Sequence, residues 1–161
     1  MPRLLTIGYE GASLEDFIAT LKHDNVSVLA DVREFAGSRR RGFAKTALSE
    51  ALSNAGIDYV HFRELGDPKP GRDAARAGDY PQFREIFSDH LQSEAAQKQL
   101  SELDRLSKKY VVCLMCYERE PKQCHRSILV DELRRASERE VRHLGVKAGI
   151  SSGQRSNKQA A

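Results

Sequence analysis

The alternation of short apolar runs with helical patterns most limits the folds open to this 161-residue chain. Strands are predicted at residues 4–9, 26–32, 57–62 and 110–115, with a short fifth strand at 141–144. Strands that alternate with helices form a parallel sheet with helices on both sides, joined by right-handed crossovers. The sequence therefore predicts the α/β class, with a single-domain, layered, parallel or mostly parallel sheet flanked by helices on both faces.

Capping residues set the predicted helix boundaries. Ser13 is expected to cap the first helix, with Asp16 three residues later as its capping-box partner. Thr46 is expected to cap the second helix, and Pro81 to begin the third. A fourth helix is predicted over roughly residues 94–106, where a helical pattern follows or continues the third.

The domain boundary follows from a change in composition near residue 147. Residues 1–146 carry the strand and helix patterns and are predicted to form one domain. Residues 147–161 have almost no large apolar side chains and are predicted to be a disordered basic tail. Within the domain, residues 67–79 are rich in Gly, Pro and charge, and are interpreted as a long loop.

Charge and cysteine content indicate the cellular setting. The net charge of +3 is mildly basic, which permits a phosphate-bearing partner without requiring one. Three cysteines are an odd number, and no signal-peptide pattern is recognisable, so a disulfide framework is not expected. We expect a cytoplasmic protein without a membrane partner, since no apolar run approaches membrane-spanning length.

The segment from Cys116 to Arg126 carries the strongest functional signal. It follows the predicted strand at 110–115 and opens a helical run over residues 127–135. A helix start normally favours acidic residues, because its free N–H groups carry partial positive charge. Here His125 and Arg126 occupy that position, which indicates an anion-binding site beside reactive side chains.

Other reactive side chains follow the remaining strands. Ligands of open parallel sheets bind beyond the carboxyl ends of the strands, so these side chains are predicted to share one edge. The candidates at that edge are Tyr9, Glu10, Asp31, Arg33, Ser38, Arg39, Arg40, Arg41, His61, Arg63, Cys116, Glu118, Cys124, His125 and Arg126.

Several of these residues stand in motifs that resemble the bacterial family called domain of unknown function 488 (DUF488). The motifs are Thr6-Ile-Gly-Tyr-Glu-Gly11, Asp31-Val-Arg33 with Ser38, Tyr59-Val-His61 with Leu65-Gly66, and Cys116-Tyr-Glu118 with Cys124-His-Arg126. The resemblance covers about residues 4–145. It implies a compact α/β domain but no established reaction.

We expect an enzyme that acts by hydrolysis or group transfer on a phosphate-bearing small molecule, nucleotide or nucleic-acid component. Glu118 would be the general base or nucleophile, with His61 or Tyr9 as its proton partner and Cys116 as a rival nucleophile. Asp31 is the further catalytic candidate. The predicted anion-binding residues are Arg33, Ser38, Cys124, His125 and Arg126. ATP-driven or dinucleotide chemistry is not indicated, because the chain has neither a P-loop nor a G-x-G-x-x-G motif, and the sequence identifies no cofactor.

Three alternatives stay open at the level of sequence. The protein could be a non-catalytic module that binds nucleic acid or a nucleotide. Cys116, Cys124, His125 and His61 could bind zinc or iron, but the C-x7-C-H spacing matches no standard zinc knuckle, and no metal ligand is assigned. Asp31 and Arg33 could form a structural ion pair, since alternate residues of a strand share a face.

Overall fold

The computed structural model of the protein describes residues 3–152. Its strands are β1 (Leu4–Gly8), β2 (Val28–Asp31), β3 (Asp58–His61), β4 (Val112–Cys116) and β5 (Val141–Leu144). They form one five-stranded sheet in the order β3-β2-β4-β1-β5, and all neighbouring pairs are parallel. The predicted α/β class and the parallel sheet are confirmed.

Helices cover both faces of this sheet. They are α1 (Leu14–His23), α2 (Lys45–Asn54), α3 (Lys69–Arg76), α4 (Tyr80–Leu91), α5 (Glu94–Lys109) and α6 (His125–Ala136). A short 3-10 turn at Arg63–Leu65 follows β3, and a second one at Pro121–Gln123 precedes α6.

Alternate residues of the inner strands β1, β2 and β4 pack into two separate cores. In β4, Leu114 and Cys116 face a core that includes Phe83 and Phe87 of α4 and residues of α5 and α6. Met115 faces the other core, which α1 and α2 complete. Because every residue of β4 is buried, this strand reads as a continuous apolar run, as expected for the centre of a parallel sheet.

The prediction of a long loop over residues 67–79 is wrong, since α3 occupies its centre. Pro70 lies in the first turn, where a missing N–H costs nothing. Ion pairs from Lys69 and Arg76 to Asp73, at spacings of four and three residues, support the helix. Of the residues of α3, only Gly71 is buried, so no apolar stripe signals this helix in the sequence.

Boundary predictions succeeded where a side chain caps the helix. The Asp16 N–H donates to Ser13 Oγ at 3.2 Å, which confirms the predicted start of α1. The prediction of Thr46 as a cap is wrong, because α2 begins at Lys45 and Ala44 is its N-cap residue. That N-cap makes no side-chain hydrogen bond, so the sequence lacks the signal that would locate it.

The chain continues beyond β5 with defined contacts. Residues 147–152 belong to the predicted disordered tail, yet the N–H groups of Gly149 and Ser151 donate to the Asp16 carboxylate at 2.9 and 3.1 Å. The rest of the predicted tail lies outside the described residues. Within residues 3–152, no helix has the length and apolar character needed to cross a membrane.

Candidate functional site

A cleft of about 480 Å³ opens beyond the carboxyl ends of β1, β2 and β4. Its lining includes Tyr9, Arg33, Phe35, Asp67, Arg72, Arg76, Cys116, Tyr117, Glu118 and His125. An adjoining cavity of about 210 Å³ shares Asp67, Arg72, Arg76, Glu118 and His125 with the cleft and adds Cys124. Six of the predicted site residues therefore meet at this edge, where parallel-sheet topology places ligands, namely Tyr9, Arg33, Cys116, Glu118, Cys124 and His125.

Two cysteines line this region from neighbouring elements. Cys116 ends β4 and Cys124 precedes α6, and both side chains are 1% exposed. Their sulfur atoms are joined in a disulfide, which the odd cysteine count did not predict. Cys113 lies three residues earlier in β4, on the opposite face of the sheet, where it is fully buried and free. Burial raises the pKa of the Cys113 thiol, so that thiol stays protonated.

The imidazole of His125 is held in one orientation beside these sulfur atoms. Its Nε2 atom lies 2.6 Å from the carbonyl oxygen of Val32, and its Nδ1 atom lies 3.5 Å from Cys124 Sγ. A carbonyl oxygen can only accept, so Nε2 carries the hydrogen and donates it. Burial lowers the pKa of His125 to about 4, although the bond to Val32 and nearby Asp31 act in the opposite direction. The ring is thus neutral near pH 7, and its Nδ1 lone pair faces the sulfur.

Arg126 lies beneath this cluster and not in the cleft. Its side chain is 0% exposed, with bonds from NH2 to the Arg119 carbonyl oxygen at 2.9 Å and from NH1 to Cys116 Sγ at 3.5 Å. The Nε–H has no partner, and burial lowers the pKa of the guanidinium. Because Arg126 is enclosed, its hydrogen bonds hold Cys116 and the turn that follows it, and do not reach a ligand in the cleft.

Three carboxyl groups line the cleft, those of Glu34, Asp67 and Glu118, and Glu34 is paired with Arg72. Glu118 follows Cys116 and is half-buried, and burial raises the pKa of its carboxyl group. Asp67 is 7% exposed, and its Oδ1 atom is buried without a hydrogen-bond partner. Burial raises the pKa of Asp67 to about 7; nearby Arg72 opposes this shift, and Glu118 adds to it. A carboxyl group that keeps its proton near neutral pH can donate a hydrogen bond or a proton to a ligand.

The accessible cations of the cleft come from α3, which the sequence did not predict. Arg72 is 36% exposed and donates from NH1 to the Asp67 carbonyl oxygen at 2.8 Å and to Glu34 Oε1 at 3.3 Å. Arg76, one helical turn further, is 75% exposed and lies 3.7 Å from Asp73. The i, i+4 spacing of two arginines in a Gly- and Pro-containing segment was the available signal.

Asp31 and Arg33 form a buried ion pair with each other. Arg33 donates from Nε and NH2 to the two carboxylate oxygens of Asp31 at 2.9 and 2.7 Å, and Tyr59 adds a bond to Asp31 Oδ2 at 2.5 Å. Burial opposes the charge on Arg33, but the bonds and charge of Asp31 outweigh it and raise the Arg33 pKa. Asp31 is 0% exposed, which agrees with the alternative that Asp31 and Arg33 form a structural ion pair.

The remaining predicted residues divide between the cleft wall and its surroundings. Tyr9 lines the cleft, and its ring stacks on that of Phe43 with 4.5 Å between the ring centroids. The Tyr9 hydroxyl oxygen accepts a hydrogen bond from Arg33 NH1 at 3.2 Å, so the hydroxyl hydrogen is free to donate. His61 Nε2 is bonded to the Arg33 carbonyl oxygen at 2.7 Å, away from the cleft. Ser38 accepts from the Arg40 N–H at 3.1 Å, within the loop before α2.

One group of side chains has the composition of a metal site. One ligand atom from each of Cys116, Cys124 and His125 lies within 4.8 Å of the others, and all three residues are buried. His61 is not a member of this group. No carboxylate joins it within the same distance in the described part of the chain.

The sequence matches the family model described as "Domain of unknown function DUF488" over residues 13–133. No curated protein and no solved structure matches the chain significantly. The family match covers most of the domain, including α1, the α3 arginines, β4 and most of α6. The chain therefore belongs to the DUF488 family.

Proposed function

We propose that this protein is an enzyme that hydrolyses, or transfers a group on, a small phosphate-bearing molecule bound in the cleft. The observation that carries the proposal is the combination of acids and cations in one concave site, with Asp67 and Glu118 beside Arg72 and Arg76. Such a combination suits a reaction in which an anion is held while a proton moves.

The arginines of α3 account for anion binding. Arg72 and Arg76 project from successive turns of one helix, so both can reach a single phosphate group. Arg33 also borders the cleft, but Asp31, Phe43 and Tyr9 already accept most of its N–H groups. We therefore assign anion recognition mainly to α3 and not to Arg33 or the enclosed Arg126.

The carboxyl groups favour chemistry over binding alone. At an effective dielectric of about 20, a carboxylate roughly 4 Å from a phosphate opposes binding by about 4 kcal/mol. A binding module gains nothing from that cost, whereas an enzyme gains a general base, nucleophile or acid. In this proposal Glu118 is the base or nucleophile, and Asp67, whose Oδ1 atom has no protein partner, supplies a proton.

Exposed aromatic rings at the cleft narrow the ligand to a nucleotide or a nucleic-acid component. Phe35 is 77% exposed and Tyr117 is 48% exposed, and both line the cleft. Large exposed rings beside arginines are typical of sites that stack nucleobases. The same observation supports the second candidate, a module that binds a nucleotide or single-stranded nucleic acid without reacting with it.

Binding and turnover of a panel of mono- and dinucleotides separate the two functions. Binding is followed by calorimetry and turnover by phosphorus NMR. We expect Arg72→Ala and Arg76→Ala to weaken binding by about tenfold or more, since charge-assisted bonds contribute about 1.5–3 kcal/mol each. Arg84→Ala, on the exposed side of α4, is the matched control.

Glu118→Gln is the decisive variant for the enzyme. We expect it to keep the fold and to bind at least as tightly as the wild type, because a like charge is removed, while turnover is lost. Wild-type protein that binds a nucleotide through Arg72 and Arg76 but never converts it would establish the binding module instead.

A further inference from the structure

We propose that reduced Cys116 and Cys124, together with His125, bind one divalent metal ion of the zinc type, with an open coordination position that faces the cleft. Two thiolates and an imidazole are ligands that Zn²⁺ and related borderline ions prefer. This inference goes beyond the proposed function, because metal binding can be measured without any substrate.

Convergence of the three ligand atoms is the first support. Cys116 comes from the end of β4, and Cys124 and His125 come from the start of α6. Their ligand atoms lie within 4.8 Å of one another although the residues belong to two separate elements. Tetrahedral zinc, with bonds of about 2.0–2.3 Å, needs ligand atoms at this kind of spacing.

The orientation of His125 is the second support. Its Nε2–H donates to the Val32 carbonyl oxygen at 2.6 Å, so the lone pair is on Nδ1, which faces Cys124 Sγ. Metal-bound histidines normally donate their other ring N–H to a carbonyl or carboxylate, which holds the ring in place. The Val32 carbonyl provides this bond before any metal binds.

Charge balance is the third support. Among the described residues, no carboxylate lies within ion-pair distance of the buried Arg126 guanidinium, which instead donates to Cys116 Sγ at 3.5 Å. A hydrogen bond from a cation favours the charged form of its acceptor, so Arg126 favours a thiolate on Cys116 over the neutral thiol. The charges of two thiolates and a divalent ion then sum to zero, and Arg126 donates to the bound sulfur.

The backbone separation of the two cysteines also suits a shared ion. Their Cα atoms lie 7.5 Å apart, whereas disulfides usually hold Cα atoms at roughly 4.4–6.8 Å. Two sulfur atoms bound to one metal ion, each at about 2.3 Å, lie farther apart than two bonded sulfurs and allow a wider backbone separation. The disulfide is then the oxidised, metal-free state of the same pair.

The fourth position would face the cleft, where Asp67 and Glu118 lie. No further cysteine, histidine or carboxylate belongs to the ligand group within residues 3–152. Sites with three protein ligands and one open position are typical of catalytic zinc, whereas structural zinc has four protein ligands. We infer that water or substrate would complete the coordination.

The test begins by reducing the disulfide. A phosphine supplies two electrons, and water supplies the oxygen of the phosphine oxide and the hydrogens of the two thiols. The protein is then freed of phosphine and metal under argon and titrated with Co²⁺. We expect one ion per chain, a thiolate-to-cobalt charge-transfer band, displacement of Co²⁺ by Zn²⁺ and release of protons from the thiols.

Variants identify the ligands. Cys124→Ser and His125→Ala should each weaken binding by more than about tenfold, whereas Cys113→Ser, which removes the buried free thiol, should bind like the wild type. X-ray absorption of the wild-type zinc form needs no variant. It should show two sulfurs at about 2.3 Å and one nitrogen at about 2.0 Å, with a light atom as the fourth ligand.

Two results would overturn the proposal. Reduced wild-type protein that binds neither Co²⁺ nor Zn²⁺ would leave Cys116 and Cys124 as a thiol–disulfide pair only. Retained binding after Cys124→Ser and His125→Ala would place the ion elsewhere. Neither result bears on nucleotide binding by Arg72 and Arg76, so failure here is distinguishable from failure of the proposed function.

Discussion

Asp31 and Arg33 form a two-point ion pair inside the protein, with bonds of 2.9 and 2.7 Å between the guanidinium and both carboxylate oxygens. The pair also fixes the loop after β2, because Arg33 NH1 donates to the Phe43 carbonyl oxygen at 2.8 Å. Arg33 further bonds Tyr9, which connects this loop to the wall of the cleft.

We expect Asp31→Asn to lower the free energy of unfolding by about 3 kcal/mol or more, because it leaves the Arg33 guanidinium buried without its counter-ion. Urea denaturation measures this loss. Asp73→Asn breaks exposed ion pairs with Lys69 and Arg76 and is the control, with an expected loss below about 1 kcal/mol. Unchanged stability together with lost turnover would return Asp31 to the catalytic candidates.

Close packing at Gly8 gives a second prediction. A Cβ atom on Gly8 would lie 1.9 Å from the Glu118 carbonyl oxygen and 2.7 Å from Arg126 NH1. The turn that contains Glu118 can therefore pack against the end of β1 only while residue 8 is glycine. We expect Gly8→Ala to destabilise the protein by about 1–3 kcal/mol and to displace Glu118 from the cleft.

Thermal unfolding and nucleotide binding are the measurements for Gly8→Ala. Gly145→Ala is the matched control, because its Cβ atom would lie 3.7 Å from Arg119 NH2, an ordinary contact. Equal melting temperatures for the two variants would show that the Glu118 turn adjusts without cost.

The cleft could be predicted from sequence only in part. The strand pattern placed Cys116 and Glu118 at the carboxyl edge, and the spacing of Asp31 and Arg33 indicated that both lie on one face of a strand. The structure adds that this pair is enclosed, which depends on Tyr59, a residue of the neighbouring strand β3. Burial by a distant segment leaves no local mark in the sequence.

The arginines of α3 show a different limit. Helix prediction relies on an apolar stripe, and α3 has none, because it packs on α4 with only Gly71 buried. Gly71 itself makes room for the cleft, since a Cβ atom there would lie 2.0 Å from Asp67 Oδ1. The Gly- and Pro-rich composition that indicated a loop therefore belongs to a helix that packs against a carboxyl group.

The contact between α1 and the end of the described chain gives a third prediction. Asp16 accepts hydrogen bonds from the N–H groups of Gly149 and Ser151, and these bonds lower its pKa to about 2. Because the pKa is lowered, the stabilisation from this contact is fully present above the ordinary pKa of an aspartate. That stabilisation is lost as the pH falls through about 2.

We expect Asp16→Ala to raise the hydrogen-exchange rates of the Gly149 and Ser151 amides at neutral pH, with exchange in β1 unchanged. Glu15→Ala, at the neighbouring and exposed position, is the control and should leave those rates unchanged. Equal rates in all three proteins would mean that the segment is held by other contacts, such as buried Val146.

The unpartnered carboxyl group of Asp67 gives the last prediction, which concerns pH. Burial raises the pKa of Asp67 from 3.8 to about 7, so the folded protein binds a proton that the unfolded chain releases above about pH 4. The stabilising effect of that proton is complete below about pH 4 and is lost as the pH rises to about 7. Asp67→Asn carries no titrating group. Its stability relative to the wild type should therefore increase between pH 5 and pH 8, by up to about 3 kcal/mol.

Urea denaturation of metal-free protein at pH 5, 6, 7 and 8 measures the difference between Asp67→Asn and the wild type. Asp73→Asn, on the exposed side of α3, is the control, and its difference from the wild type should not change over this range. An Asp67→Asn difference that is equally constant would show that Asp67 is ionised throughout. Asp67 could then no longer supply the proton in the proposed reaction, and another group of the cleft lining, such as Glu118 or Tyr9, would have to do so.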